Sequence, residues 1–307
     1  MKPLDLSWGN PKYVEPYWKD LDISWTQSRL ECPMPYIYGG TEELKNSILK
    51  LHEKELNIFT ADKHISIGNG ATQLLIATMA CLGESVTAQA PYFLRFPRFA
   101  QMSGNPFQLC GSSVEVITIP NNPDGDCYKF PKHKLTSPKI YDLSYNWLPY
   151  LPKGTTFRFN EDIMIFSLAK ATGHASTRIG WALFKDETLA KKVDDYIEHA
   201  SAGVSIEAQN KAIAVINSQL HTEDTCFKYG QKVLLERWER LRNLSPPFEI
   251  LNKNGMFLWC QAKNWQEILE QKQVIGTAGE LFGGTKEQFR LNIGCSSKEF
   301  EELLKRL

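Results

Sequence analysis

A mostly parallel α/β sheet sandwiched by helices, with a small α+β domain built from both chain ends, is the fold this sequence predicts. Three observations carry it. Short apolar runs alternate with helical patterns between about residues 64 and 184, the rhythm of strand–helix–strand units. Long helical stretches with few breakers follow, at about 187–201, 205–220 and 224–241. Short strands then return near 248–251, 256–261 and 289–293, before a last helix at 298–307.

Residues 1–39 are rich in Pro, Tyr and Trp and are punctuated too often for a helix, so they read as an extended arm. Thr41 is placed to N-cap a helix running to about His52, with Leu44, Ile48, Leu49 and Leu51 as its apolar stripe. Strands are expected at 64–67, 86–90, 114–119, 139–143, 162–166 and 181–184, with helices at 72–82 and 94–102 between the early ones. The simplest division is a large domain at 40–235 and a small one made of 1–39 plus 236–307.

Composition narrows the partners. Of 307 residues 42% are hydrophobic and 23% charged, as in an ordinary globular enzyme. Lys plus Arg and Asp plus Glu number 35 each, so no global field favours nucleic acid or an anionic membrane. Seven scattered cysteines without a C-x-x-C pair suggest neither a zinc site nor a disulfide framework. The first residues lack the apolar core of a secretory signal, and no apolar run approaches a membrane span. A cytoplasmic protein is expected.

The candidate chemistry lies where the expected strands end, and ligands of open parallel sheets sit beyond those ends. The apolar run Ile163–Phe166 ends in Ser167, with Lys170 three residues on and Arg178 eight after that. A lysine at the mouth of a buried strand is suited to imine formation, because partial desolvation frees its lone pair. A hydroxyl and a planar guanidinium nearby suit a phosphate. This points to Lys170 as the Schiff-base lysine of a pyridoxal-phosphate enzyme; a plain strand end with surface Lys and Arg is the other reading. In Gly68-Asn69-Gly70-Ala71-Thr72-Gln73, small residues at a helix start leave backbone N–H groups free to face a phosphate. The loop lacks the third Rossmann glycine and the Walker lysine, and a simple connector is the commoner fate of such a turn. Ala90-Pro91-Tyr92-Phe93 offers an aromatic face for a flat ring, unless it is core. Asn122 sits in a turn-like Pro-Asn-Asn-Pro and has an amide for a ring hydroxyl. Asp142, followed by Tyr145, is placed either to keep a pyridine nitrogen protonated or to serve as a turn carboxylate.

Taken together, these motifs resemble in order and spacing the fold-type-I aminotransferases. Lys170-Ala171-Thr172-Gly173-His174-Ala175-Ser176-Thr177-Arg178-Ile179-Gly180-Trp181-Ala182 is similar to the Lys-x-Thr-Gly-His-Ala-Gly-x-Arg-Ile-Gly-Trp-Ala signature of the alliinase and plant tryptophan aminotransferase family. Gly9-Asn10-Pro11 with Glu15-Pro16-Tyr17-Trp18, Tyr141–Trp147, and Gly203-Val204-Ser205 with Glu207 and Gln209 agree with it too. The resemblance covers nearly the whole chain and implies an aspartate-aminotransferase-like fold with pyridoxal 5′-phosphate as cofactor.

The same resemblance implies the roles. Lys170 would carry the cofactor and shuttle the substrate proton; Asp142 would pair with the ring nitrogen; Asn122 and Tyr145 would bond the ring oxygen; Phe93, ahead of Tyr92, would stack on the ring. Gly70, Ala71 and Thr72, with Ser167 and Arg178, would hold the phosphate. Tyr36 would reach the phosphate of a neighbouring subunit, implying a homodimer with shared sites. Arg290 would take the substrate carboxylate, with Gly9 closing over it. Ser7-Trp8-Gly9-Asn10 replaces the family's Asp-His-Gly-Asp, Ser176 replaces a glycine, and the cysteine-rich N-terminal module of alliinase is absent. The stretch between Trp259 and Arg290 is short for the fold, which suggests a trimmed small domain. These departures bear on the substrate.

Two enzymatic functions compete. Transamination from an L-amino acid to a 2-oxo acid is favoured over alliinase-type β-elimination, because the lyases are secreted, disulfide-bearing relatives. Both use the same residues, since the cofactor carries the hard chemistry. A non-enzymatic regulator would be expected to lack the Lys or the Asp, and both are present. Trp8, Trp147, Tyr150 and Phe157 form an aromatic, tryptophan-suited pocket on one reading and packing around the arm on the other.

Overall fold

The computed structural model describes residues 2–19, 21, 23, 39–56, 58, 60–109, 114–128, 138–155 and 157–307. In chain order its elements are β1 (Leu4–Asp5), α1 (Glu15–Lys19), α2 (Glu42–Glu55), β2 (His64–Gly68), α3 (Ala71–Leu82), β3 (Val86–Thr87), α4 (Phe96–Met102), β4 (Val114–Thr118), β5 (Lys139–Asp142), β6 (Ile163–Ser167), α5 (Leu168–Ala171), β7 (Gly180–Phe184), α6 (Glu187–Ser201), α7 (Ile206–Leu220), α8 (Cys226–Arg242), β8 (Glu249–Ile250), β9 (Phe257–Gln261), α9 (Trp265–Gln271), β10 (Val274–Ile275), β11 (Thr277–Ala278), β12 (Gln288–Asn292) and α10 (Ser297–Arg306).

The largest sheet has six strands in the order β2-β7-β6-β5-β4-β3, with β7 antiparallel to both neighbours and the other pairs parallel. Every residue of β4, β6 and β7 is buried, as expected of strands covered on both faces. One core packs α2, α7 and part of α8 on one face, and a second packs α3, α4 and α6 on the other. Burying Phe166 and Trp181 stabilises the sheet by about 1.5–3 kcal/mol for a side chain of that size. The helices begin where polar caps stand: Thr41 accepts from Leu44 N at 3.3 Å, Asp186 from Thr188 N at 2.7 Å, Ser205 from Ala208 N and Thr225 from Lys228 N, both at 3.3 Å. Ser296 and Glu299 make a full capping box for α10.

A second sheet, β11-β12-β9-β8, is antiparallel throughout and lies over a third core. Helix α8 feeds two cores: Cys226, Phe227 and Leu234 join the first, Trp238 and Leu241 the third. The chain start is tied to the tail by β1, parallel to β10 through Leu4↔Val274 and Asp5↔Ile275, with Leu4 and Leu6 buried.

Some expectations shift. The strand expected at 86–90 ends at Thr87, and Val86 also bridges Phe107. The segment before Arg290 holds α9, β10 and β11; Trp265, Ile268 and Leu269 at i, i+3 and i+4 carried the helical signal. Among the described residues no helix is long and apolar enough to cross a membrane.

Candidate active site

Sheet register assembles the site. Gly68, Gly180 and Ser167 lie side by side at the ends of β2, β7 and β6, and Asp142 at the end of β5 pairs with Thr118 and Ile165. The turn after β2 runs through Gly70 at φ +77°, where a Cβ would come 2.4 Å from Arg178 Nη2. A Cβ on Gly180 would lie 2.5 Å from Ala71 N. Two glycines thus let Arg178 lie against the start of α3, which no side chain caps. Arg178, itself left-handed at φ 57°, donates through Nη1 to Ala175 O and through Nη2 to Asn69 O, both at 3.1 Å. The result is a guanidinium, the open N–H groups of Ala71 and Thr72 and the Ser167 hydroxyl at one sheet end, an arrangement suited to an anion.

A hydrogen-bonded chain runs beside it. Arg290, on β12, donates through Nη1 to Asn122 Oδ1 at 2.7 Å, and Asn122 Nδ2 donates to the Tyr145 hydroxyl at 3.2 Å. All three are buried. Lys170 Nζ stands 5.6 Å from the centre of the Tyr145 ring and donates to Gly9 O. Gly9 packs close to Phe257 and the Tyr145 hydroxyl. Arg290 Nη2 donates to Ser7 O at 2.7 Å, and its guanidinium lies between the rings of Phe257 and Phe282, 4.2 and 4.8 Å from their centres. Its Nε is buried without a partner.

Electrostatics follow from burial. Lys170 is lowered to about 8 by burial, with Arg290 and Arg178 adding and Asp142 opposing. Burial raises Asp142, against its hydrogen bonds from Ser144, whose N lies 3.1 Å from Oδ1. Burial pushes the Tyr145 phenol up and lowers Arg290 to about 10. Lys170 thus gives up its proton more readily than an ordinary lysine, while Arg290 stays cationic at neutral pH.

Of the sequence candidates, Gly9, Asn122, Asp142, Tyr145, Lys170 and Arg290 converge here, and Gly70, Ala71, Thr72, Ser167 and Arg178 form the adjoining anion corner. Phe93 is half-buried, edge-on to Phe96 and Phe99 at 5.5 and 6.1 Å. Tyr92 turns to Phe107 at 5.2 Å. Tyr36 falls outside the described residues. The four residues considered for an aromatic pocket do not line one. Trp147 is fully buried and stacked on Phe227 at 5.2 Å, Tyr150 is buried, Phe157 meets Tyr128 and Phe159, and Trp8 is 65% exposed. Sequence reasoning missed Asn292, whose Nδ2 donates to Trp8 O at 2.6 Å and Asn10 O at 3.1 Å, and the two rings around Arg290. The two-residue period of β12, which sets Asn292 on the same face as Arg290, was the available signal.

The family model described as Allinase matches residues 4–251. Tryptophan aminotransferase-related protein 3 of Arabidopsis thaliana is 28% identical over 357 aligned residues, covering 98% of this chain and 77% of that protein. Alliin lyase of Allium cepa var. aggregatum is 28% identical over 369, covering 98% and 80%. Among solved structures, an aminotransferase from Staphylococcus aureus superposes with a TM-score of 0.77 at 16% identity, covering 100% of this chain and 93% of that one. A Thermus thermophilus aspartate aminotransferase double mutant gives 0.78 at 15%, covering 100% and 91%. The fold is that of the aspartate aminotransferases.

Proposed function

The chain belongs to the allinase family, and on that premise we propose that it is a pyridoxal 5′-phosphate-dependent aminotransferase, moving the amino group of an L-amino acid to a 2-oxo acid. The observation that carries this reading is the chain Arg290–Asn122–Tyr145 with the Lys170 amine over the tyrosine ring.

The donor set fits the cofactor. Arg178, Ser167 and the open start of α3 suit its phosphate, and a Cβ at Gly70 would close that corner. Asp142 is a buried carboxylate in need of a cation, which a protonated ring nitrogen supplies. Asn122 and Tyr145 suit the ring oxygen and Lys170 the covalent anchor, and the family resemblance adds Phe93 for the ring face. When bound, the cofactor supplies an electron sink that makes the substrate Cα–H acidic. Lys170 Nζ, lowered to about 8 by burial, would take the proton from the substrate Cα and deliver it to the cofactor C4′. Arg290 binds the α-carboxylate through its planar fork, with its unpartnered Nε as one donor. The Ser7–Gly9 segment covers the pair and keeps water out, as its carbonyls already contact Arg290 and Lys170. A homodimer that shares sites through Tyr36 belongs to the same reading and rests on the family resemblance; a cytoplasmic location belongs to it too and rests on the scattered cysteines without a disulfide framework.

One finding favours a second reading. The alliin lyase relative matches as closely as the aminotransferase-related one, so β-elimination uses the same groups equally well. Product analysis decides between them. Incubation with single L-amino acids and a 2-oxo acid acceptor is expected to yield the cognate 2-oxo acid and the new amino acid. Pyruvate and ammonia from a β-substituted substrate would replace transamination with elimination.

A further inference from the structure

Lys170 is carried on a helix of four residues, Leu168–Ala171. One turn cannot hold itself, because nucleating a helix fixes several dihedrals for one hydrogen bond, and its terminal carbonyls need outside partners. Here those partners are found. Leu168 O accepts from Thr172 N at 2.9 Å and Thr172 Oγ1 at 3.1 Å, and Thr172 O accepts from Trp18 Nε1 at 2.8 Å. The carbonyl of Lys170 itself accepts from the Tyr150 hydroxyl at 2.9 Å.

Tyr150 is fully buried and reached by a tight turn after Trp147, with Tyr150 N donating to Trp147 O at 2.9 Å. Its ring stands edge-on to Tyr145, 5.5 Å between centres. Its hydroxyl lies near that of Tyr13, another fully buried phenol, and each phenol shifts the other. A phenol has one proton, and Tyr150 gives its own to Lys170 O. Gly230 of α8 permits this closure: a Cβ there would lie 2.9 Å from the Tyr13 ring and 3.0 Å from Pro149. The segment after β5 thus brings Asp142 and Tyr145 to the site and a donor to the backbone of the lysine. None of this is needed to fill the core, since a phenylalanine would fill the same space without an orphaned hydroxyl.

We infer that Tyr150 is a positioning residue for Lys170: through the lysine's own carbonyl it fixes where the amine points in the site. The inference rests on Lys170 being the reactive amine. Placement errors of an ångström are costly in such chemistry, which gives the contact a purpose beyond folding.

The test compares parent, Tyr150→Phe and Tyr13→Phe, each checked for an unchanged melting temperature. In the cofactor-free protein, acetic anhydride labelling of Lys170, read by mass spectrometry against pH, is expected to titrate near 8 in the parent. In Tyr150→Phe it should move up by about one unit, as the amine turns toward water and loses part of the burial that lowers it. Tyr13→Phe should move it the same way by less, and it stands in for Tyr150→Phe if that variant does not fold. In the loaded enzyme, Tyr150→Phe should lose about tenfold in kcat with KM little changed. A labelling titration identical to the parent's in folded Tyr150→Phe would overturn the inference. A parent that takes up no pyridoxal phosphate would sink the proposed function and leave the labelling test intact.

Discussion

Asp142 shows how far a single residue is set by its surroundings. It is 4% exposed, and burial raises its pKa against two contacts from Ser144. A group whose folded pKa lies above its unfolded one stabilises the fold at low pH and loses that contribution as pH rises through the folded value. Without cofactor, the ionised carboxylate is therefore a cost at neutral pH; with a cationic ring nitrogen beside it, it becomes an asset. Asp142→Asn is expected to raise the melting temperature of the cofactor-free protein, and calorimetry checks this. The same change should lower kcat in the loaded enzyme by about 10- to 100-fold, the 1.5–3 kcal/mol of a hydrogen bond to a charged group. Lower stability with unchanged kcat would remove Asp142 from the site. That Lys170, Asp142, Asn122 and Tyr145 lie close together was legible in the sequence, because each follows an expected strand and strand ends converge by geometry; Arg290, inside β12, was singled out only by the family resemblance. Phe257 and Phe282 were not, since an aromatic beside a buried guanidinium looks like any other core residue until β9 and β12 are paired.

At the scale of elements, the start of α3 and the face of α2 make separate demands. Gly70→Ala places a Cβ at φ +77° against Arg178. The change should weaken cofactor binding by about tenfold or more, since one lost charge-assisted hydrogen bond is worth about 1.5–3 kcal/mol. Equilibrium titration of the cofactor-free protein measures it, and unchanged affinity would show that Arg178 does not need that turn. On α2, His52 is fully buried and accepts at Nε2 from Trp181 Nε1 at 2.7 Å, with burial lowering it to about 3. Because its folded pKa lies below the unfolded 6.5, the unfolded chain binds more protons between these values. Its contribution is whole above the unfolded pKa and drains away as pH falls toward the folded one. His52→Phe should flatten that acid limb in melts across pH, while costing about 1–3 kcal/mol for the unpaired indole N–H. The α2 helix itself was readable from its Thr41 cap and apolar stripe, but a histidine on that stripe gives no sign of its partner on β7.

Across the whole molecule, the site depends on the two ends of the chain meeting. Leu6 is 1% exposed in the third core, its N donates to Ile275 O at 2.9 Å, and its carbonyl accepts from Asn292 N at 2.9 Å. The next residues supply the Ser7 and Gly9 carbonyls to Arg290 and Lys170. Leu6→Ala should therefore destabilise the fold by about 2–5 kcal/mol and raise KM for the amino acid while leaving cofactor uptake intact; steady-state kinetics beside a cofactor titration separates the two. The α/β order was plain in the sequence, whereas the pairing of β1 with β10 was not, because two-residue strands separated by most of the chain leave no periodic trace. Everything proposed for the site passes through Lys170. The most direct measurement is the visible absorption spectrum of the purified protein with pyridoxal phosphate, for the parent and Lys170→Ala, before and after adding single L-amino acids. A yellow band in the parent, absent from Lys170→Ala and bleached toward the near ultraviolet by a cognate amino acid, is the expected result. A parent without such a band, or a Lys170→Ala variant that keeps it, would contradict the account.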